Sequence, residues 1–207
     1  VISLVVAVPI GIGSAIYLVE YAGKDNKLVE VVRITAETLS GIPSIVYGLF
    51  GSLFFVKFMS LGLSLLSGAL TLSVMILPLI MRSSEEALLS VPMSYREGSF
   101  GLGAGKLRTI FWIVLPAAIP GILSGVILSI GRIIGETAAL IYTSGTVAGL
   151  AGIMDSGRTL AVHMYVLSNE GMHKNEANAT AFILLLVVLG INAVSTRLAK
   201  KLKAPEK

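Results

Sequence analysis

With 207 residues, 55% of them hydrophobic and only 14% charged, and a mean hydropathy of +0.87, the chain carries more apolar surface than a water-soluble fold of this size can cover. Its 16 basic and 12 acidic residues give a net charge of +4, but the basic side chains sit at the ends of apolar runs without interleaved exposed aromatics, which points to membrane topology and away from nucleic acid. The lack of cysteine excludes a disulfide framework, a thiolate metal site and a cysteine nucleophile.

Five apolar runs are each long enough, at about 1.5 Å per residue, to cross a hydrocarbon core of about 30 Å. They are Val1–Val19, Leu39–Phe58, Leu61–Met81, Ile119–Tyr142 and Ala177–Thr196, and they predict one all-α, polytopic transmembrane bundle over residues 1–207. The first run opens on Val1 with no initiator Met or basic segment before it, so it does not read as a signal peptide; a truncated first helix is expected. The first loop (Lys24, Lys27, Arg33), the polar segment Arg82–Arg108 (Arg82, Arg96, Lys106, Arg108) and the tail (Arg197, Lys200, Lys201, Lys203, Lys207) hold 12 of the 16 basic residues. All three fall on one side of the membrane, so the positive-inside rule places them and the C-terminus in the cytoplasm, with Thr143–Glu176 outside.

In the second run, Ser40-Gly41-Ile42-Pro43-Ser44 predicts a break or kink near its cytoplasmic end, because Pro43 removes a helical hydrogen bond. Amides freed there would either serve an anion or only shape the pathway. Arg82 closes the third run, followed by Glu85 and Glu86, and reads either as part of an anion route or as a snorkelling anchor. Beyond it, Tyr95–Phe100 forms a short amphipathic helix with Arg96 and Glu97 exposed, Gly103 permits a sharp turn, and a second helix follows. Such a helix–Gly–helix protrusion suits docking into a groove on a partner, or lying flat on the bilayer. The glycines around Lys106 do not make a phosphate-binding P-loop, because Phe100 stands where the first Gly is required and Leu107 where Ser or Thr is required.

The fourth run sets Arg132 and Glu136 four residues apart, which predicts one shared helical face. A charge at mid-helix costs about 2.5 to 3.5 kcal/mol, so the pair faces other helices or a watery cavity. It is read either as a self-neutralising internal salt bridge or as a substrate site in which the Arg132 guanidinium binds phosphate oxygens in a bidentate fork. Gly121, Gly125, Gly131 and Gly135 supply small-xxx-small spacings for close helix approach, within the chain or to a partner. In the outward segment His163 and His173 lack compact metal-ligand spacing, and Asn178-Ala-Thr180 is a chance glycosylation match.

Glu97-Gly98-Ser99, then Gly103, then Ile113-x-Leu115-Pro116 resembles the EAA loop of binding-protein-dependent (MetI-like) ATP-binding cassette importer permeases, whose pattern is EAA, three residues, Gly, nine residues and I-x-LP. Gly98 and Ser99 depart from the usual alanines but remain small. The stretches SGIPSIVYGLFG, LPLIMRSSEEALLSVP and GVILSIGRIIGETAAL are similar to those of the phosphate permeases of this family, the PstA type. The resemblance implies a MetI-like permease fold, with six spans in a full-length chain and residues 94–116 as a cytoplasmic coupling loop. Arg96, Glu97, Gly98, Ser99, Gly103, Leu115 and Pro116 would couple to the ATPase, and Arg132, Glu136 and Arg82 would line the substrate pathway.

It also implies a non-catalytic subunit in the cytoplasmic (inner) membrane of a prokaryote. Its partners would be a second homologous permease, an ATPase dimer that binds the ATP and Mg, an extracytoplasmic phosphate-binding protein, phosphate and the lipid bilayer. No cofactor is expected in this chain. The rival readings are a permease for another oxyanion (phosphonate, molybdate or sulfate), an ion-coupled carrier independent of ATP, and a membrane scaffold or sensor that only reports phosphate status.

Overall fold

The computed structural model describes residues 1–22, 26–171 and 173–202; Lys24, Lys203 and Lys207, which enter the orientation reading, lie outside the described residues. Among the described residues the secondary structure is helical, with no strand. Helix α1 (Ile2–Tyr21) is followed by α2 (Lys27–Ser40), α3 (Ser44–Phe58), α4 (Leu65–Leu89), α5 (Met93–Gly101), α6 (Lys106–Gly135), α7 (Ala138–Thr143), α8 (Leu160–Glu170) and α9 (Lys174–Leu202). Among the described residues, helices α1, α4, α6 and α9 are long and apolar enough to cross a membrane, and the bent pair α2–α3 makes up to five if it is counted as one span.

Three boundaries differ from the sequence reading. Leu39–Phe58 is not one straight span: the chain turns by 103° between Ser40 and Ser44, so Leu39 and Ser40 end the amphipathic α2. Gly41 closes α2, and Pro43 both lacks an N–H and pushes Ile42 out of the helical region, so the helix stops where a kink alone was one possibility. The Tyr47 hydroxyl, on α3, donates to the Leu39 carbonyl at 2.7 Å and fastens the corner. The third span is Leu65–Leu89, not Leu61–Met81: Ser60 and Gly62 take positive φ, and the Ser64 hydroxyl caps α4 by accepting from the Ser67 amide. The helix continues through Arg82 and Glu85, and its last turns bury Ala87 and Leu88 against Val114, Ala118 and Ile122. The fourth span begins at Lys106 and ends at Gly135, and the Glu136–Thr137 break separates it from the short α7.

Helix α4 forms the centre of the bundle. On one side it runs parallel to α1, where Gly11 meets Ile80 and the Ser73 hydroxyl donates to the Ser3 carbonyl at 3.2 Å. On the other it runs antiparallel to α6, where Gly121 faces Ala87 and Gly125 faces Ser83. These glycines therefore serve packing within the chain. Two apolar clusters follow from the arrangement: Ala7, Tyr47, Leu72, Met75, Ile76, Ile80, Leu140 and Val162 in one, and Ala15, Ala87, Leu88, Val91, Val114, Ala118 and Ile122 in the other, at the C-terminal end of α4. Helix α2 lies across that end, burying Val29 and Ala36 against Leu18 and Met81.

Gly48 is the tightest backbone crossing in α3, since a Cβ there would stand 2.8 Å from the Ala139 Cα and 3.2 Å from the Ala138 carbonyl oxygen, neither of which can rotate away. Gly48→Ala is expected to cost about 1–3 kcal/mol by overpacking and to lower the melting temperature of the detergent-purified protein. Gly13→Ala, with nothing within 4 Å of the added carbon, is expected to leave it level or slightly raised.

Candidate functional site

Two groups of polar residues stand out from the apolar bundle: the α5–α6 loop beyond the C-terminal end of α4, and the charged side chains on α2, α4 and α6. In the loop, Gly103 adopts φ +82°, the left-handed region that favours glycine, and reverses the chain between α5 and α6. The Ser99 hydroxyl lies 2.8 Å from that of Thr109 and bolts the two limbs together in a buried contact. Glu97 and Gly98 face outward, and Leu102 at the tip is 91% exposed beside exposed Met93, Tyr95 and Phe100. Leu115 is half-buried and Pro116 exposed in the following helix, where the missing amide N–H of Pro116 is tolerated.

Arg96 does not share the exposure of Glu97. Its Nε and Nη2 donate to Glu20 Oε1 at 3.1 and 2.8 Å, Nη1 donates to the Val91 carbonyl at 2.8 Å, and Nη2 also donates to the Leu88 carbonyl at 3.0 Å. The two side chains are 10% and 9% exposed. Arg96 is turned to the inner side of α5, where its partner Glu20 comes from 76 positions away in the sequence.

The second group joins α2 to α4. Arg33 pairs with Glu85 at 2.6 Å and Arg82 with Glu37 at 3.7 Å, around a cleft of about 270 Å³ that Glu86 and Leu89 complete. The Arg33 and Glu85 partnership was not anticipated; the signal available was the i, i+4 placement of Arg33 and Glu37 on one face of α2.

Arg132 and Glu136 do not share a helical face. Glu136 follows the last residue of α6 with extended backbone (ψ 128°), and its buried carboxylate accepts from the Ala139 amide at 3.1 Å, capping α7. Arg132, half-buried in the last turn of α6, has no carboxylate within 4.0 Å among the described residues and donates no hydrogen bond to them. Extending the antiparallel Gly121–Ala87 and Gly125–Ser83 register places it level with Ile76, midway along α4. The C-terminal end of α6 carries partial negative charge and favours a cation there. His163, on α8, has a buried Nδ1 with no partner among the described residues, and His173 lies 3.6 Å from Glu176.

A bundle of candidate membrane-spanning helices with a protruding helix–Gly–helix loop and an arginine without a carboxylate partner among the described residues has the form of a transporter permease. The chain belongs to the family described as binding-protein-dependent transport system inner membrane component, whose profile matches residues 7–204. It is a multi-pass membrane permease component of the ATP-binding cassette importers, with the MetI-like fold. Among its relatives are a probable ABC transporter permease, YqgI of Bacillus subtilis, 35% identical over 98% of this chain and 76% of its own length, and phosphate transport system permease protein PstA 1 of Mycobacterium tuberculosis, 41% identical over 70% of this chain. The match spans 46% of that second protein, about half its length. The structure of the inward-facing MetNI methionine ABC transporter superposes with a TM-score of 0.76 at 21% identity, covering 98% of this chain and 88% of that one, and shows the fold alone.

Because the chain has no native cysteine, single cysteines report loop geometry directly. In detergent, Leu102→Cys and Glu97→Cys are expected to react with a maleimide on the order of tenfold faster than Ser99→Cys, whose position is buried.

Proposed function

We propose that this chain is a subunit through which inorganic phosphate crosses the inner membrane, powered by an ATPase that docks on residues 94–116. The observation that carries the substrate is Arg132: a guanidinium at mid-bundle with no carboxylate partner among the described residues, on an importer permease 41% identical to proteins named phosphate permeases. Retaining an unpaired cation there costs several kcal/mol unless an anion or water meets it, and a planar fork matches phosphate oxygens bidentately at any relevant pH.

Arg82 sits nearer the cytoplasmic end of α4, loosely paired with Glu37 across the cleft, and extends the cationic route in that direction. Glu136 holds the break that ends α6, and so sets where the Arg132 turn stops. In this reading Glu97, Gly98, Gly103, Leu115 and Pro116 form the docking surface and its hinge, while Arg96 and Ser99 fix the loop from inside. The chain itself holds no ATP; the ATP and Mg belong to the ATPase dimer, and a second homologous permease and an extracytoplasmic phosphate-binding protein complete the assembly. The loop, α2 and the C-terminus face the cytoplasm, and residues 144–159 face outward. Another oxyanion would use the same guanidinium, so substrate competition separates the two readings.

The test is ATP-dependent uptake of labelled phosphate by the reconstituted complex. Arg132→Gln is expected to lower uptake about 10- to 100-fold, the worth of one charge-assisted hydrogen-bond set of about 1.5–3 kcal/mol, while basal ATP hydrolysis persists. Arg132→Lys, which keeps the charge and loses the fork, falls between the two. Unlabelled phosphate is expected to compete, and sulfate, molybdate and methylphosphonate are not; normal uptake by an assembled Arg132→Gln complex would return Arg132 to a structural role.

A further inference from the structure

The docking loop needs a mechanical connection to the membrane helices, and two of its contacts converge on one spot. Arg96, in the first limb, gives two N–H groups to Glu20 and two more to the carbonyls of Leu88 and Val91. Lys106, at the start of the second limb, places its Nζ 4.8 Å from the ring centroid of Tyr21, within cation–π range. Glu20 and Tyr21 are the last two residues of α1, in a π-helical turn spanning Tyr17–Tyr21. Both limbs are thus held by consecutive residues at the cytoplasmic end of one helix.

We propose that the Glu20–Tyr21 end of α1 is the lever point through which movement of the coupling loop enters the membrane bundle, with Glu20 and Arg96 as positioning residues. The proposal rests on the reading of residues 94–116 as the ATPase-docking loop. Burial gives the link its stiffness: with only 9% and 10% of the two side chains exposed, neither charge can swing away without losing its partner in a medium of low dielectric. Arg96 also ties the loop to the end of α4 through the Leu88 carbonyl, so α1 and α4 are driven as a pair.

Beneath the link, Ala15, Leu88, Val91, Val114 and Ala118 pack into one cluster, which resists independent sliding of α1, α4 and α6. From there α1 runs about 30 Å at 1.5 Å per residue, parallel to α4, to the outer end where the Ser3 carbonyl accepts from Ser73. A tilt imposed at Glu20 is therefore delivered at the opposite face. An ordinary surface anchor for the loop would need neither a desolvated carboxylate nor contacts from both limbs.

The test measures labelled phosphate taken up per ATP hydrolysed by the complete reconstituted complex, alongside complex yield and melting temperature. Glu20→Gln is expected to lower uptake per ATP at least about tenfold while hydrolysis continues, and Glu20→Asp is expected to restore most of it. The double variant Glu20→Gln with Arg96→Gln is expected to be no worse than either change alone. Where Glu20→Gln prevents assembly, the exposed contact carries the test: Tyr21→Leu with Lys106→Gln is expected to lower the ratio several-fold in a normally assembled complex. An unchanged ratio in assembled Glu20→Gln, or in the Tyr21→Leu, Lys106→Gln pair when the first does not assemble, overturns the lever. Glu97→Ala separates the two claims, because an unchanged ratio and unchanged ATPase retention in that variant would overturn the docking-loop reading, and absence of phosphate uptake by the native complex would overturn the substrate.

Discussion

A charge in hydrocarbon must be met by another charge, a hydrogen-bonding group or water, and this constraint orders the polar interior of the protein. Arg96 is met by Glu20 in a buried pair, whereas Arg33–Glu85 is half-exposed and Arg82–Glu37 is a loose surface contact at 3.7 Å; each joins elements distant in sequence. Arg96 binds the loop to α1, while Arg33 and Arg82 link α2 to the C-terminal part of α4. Arg132 alone among these guanidiniums has no carboxylate partner among the described residues, and the packing register sets it level with the middle of α4.

The packing around these pairs depends on small residues at α4. Gly11, Gly121 and Gly125 let α1 and α6 approach it until backbones nearly touch, and Gly48 does the same between α3 and α7. Close approach of this kind transmits displacement with little slack, since a packed interior deforms poorly. The 103° corner at Gly41–Pro43 has the opposite effect: it frees α2 from the membrane direction and lays it over the charged cleft.

Much of this was legible in the sequence, because hydrophobic length and helix punctuation are local properties. The spans at Val1–Val19 and Ala177–Thr196 lie within α1 and α9 up to a residue at the ends, and the breaks at Pro43 and Gly103 occur where their residues require. The failures share one cause, the influence of distant partners. Charges at Arg82 and Glu85 read as the end of a span, yet the helix runs on to Leu89 because its last turns pack against Val114, Ala118 and Ile122 from α6. The spacing of Arg132 and Glu136 assumed an unbroken helix, whereas Glu136 spends its carboxylate on the next one. Arg96 looked exposed because its partner, Glu20, lies 76 positions away.

If the transported anion uses the positive charge of Arg132, removing and restoring that charge must abolish and restore transport, and the cysteine-free chain allows both at one position. In the reconstituted complex, Arg132→Cys would be treated with an aminoethyl methanethiosulfonate, which adds an ammonium group, or with a neutral methyl thiosulfonate of similar reactivity, and phosphate uptake followed. Low uptake is expected for the untreated variant, with partial recovery under the cationic reagent and none under the neutral one. Equal uptake under all three conditions, at the native level, would contradict that use of the charge.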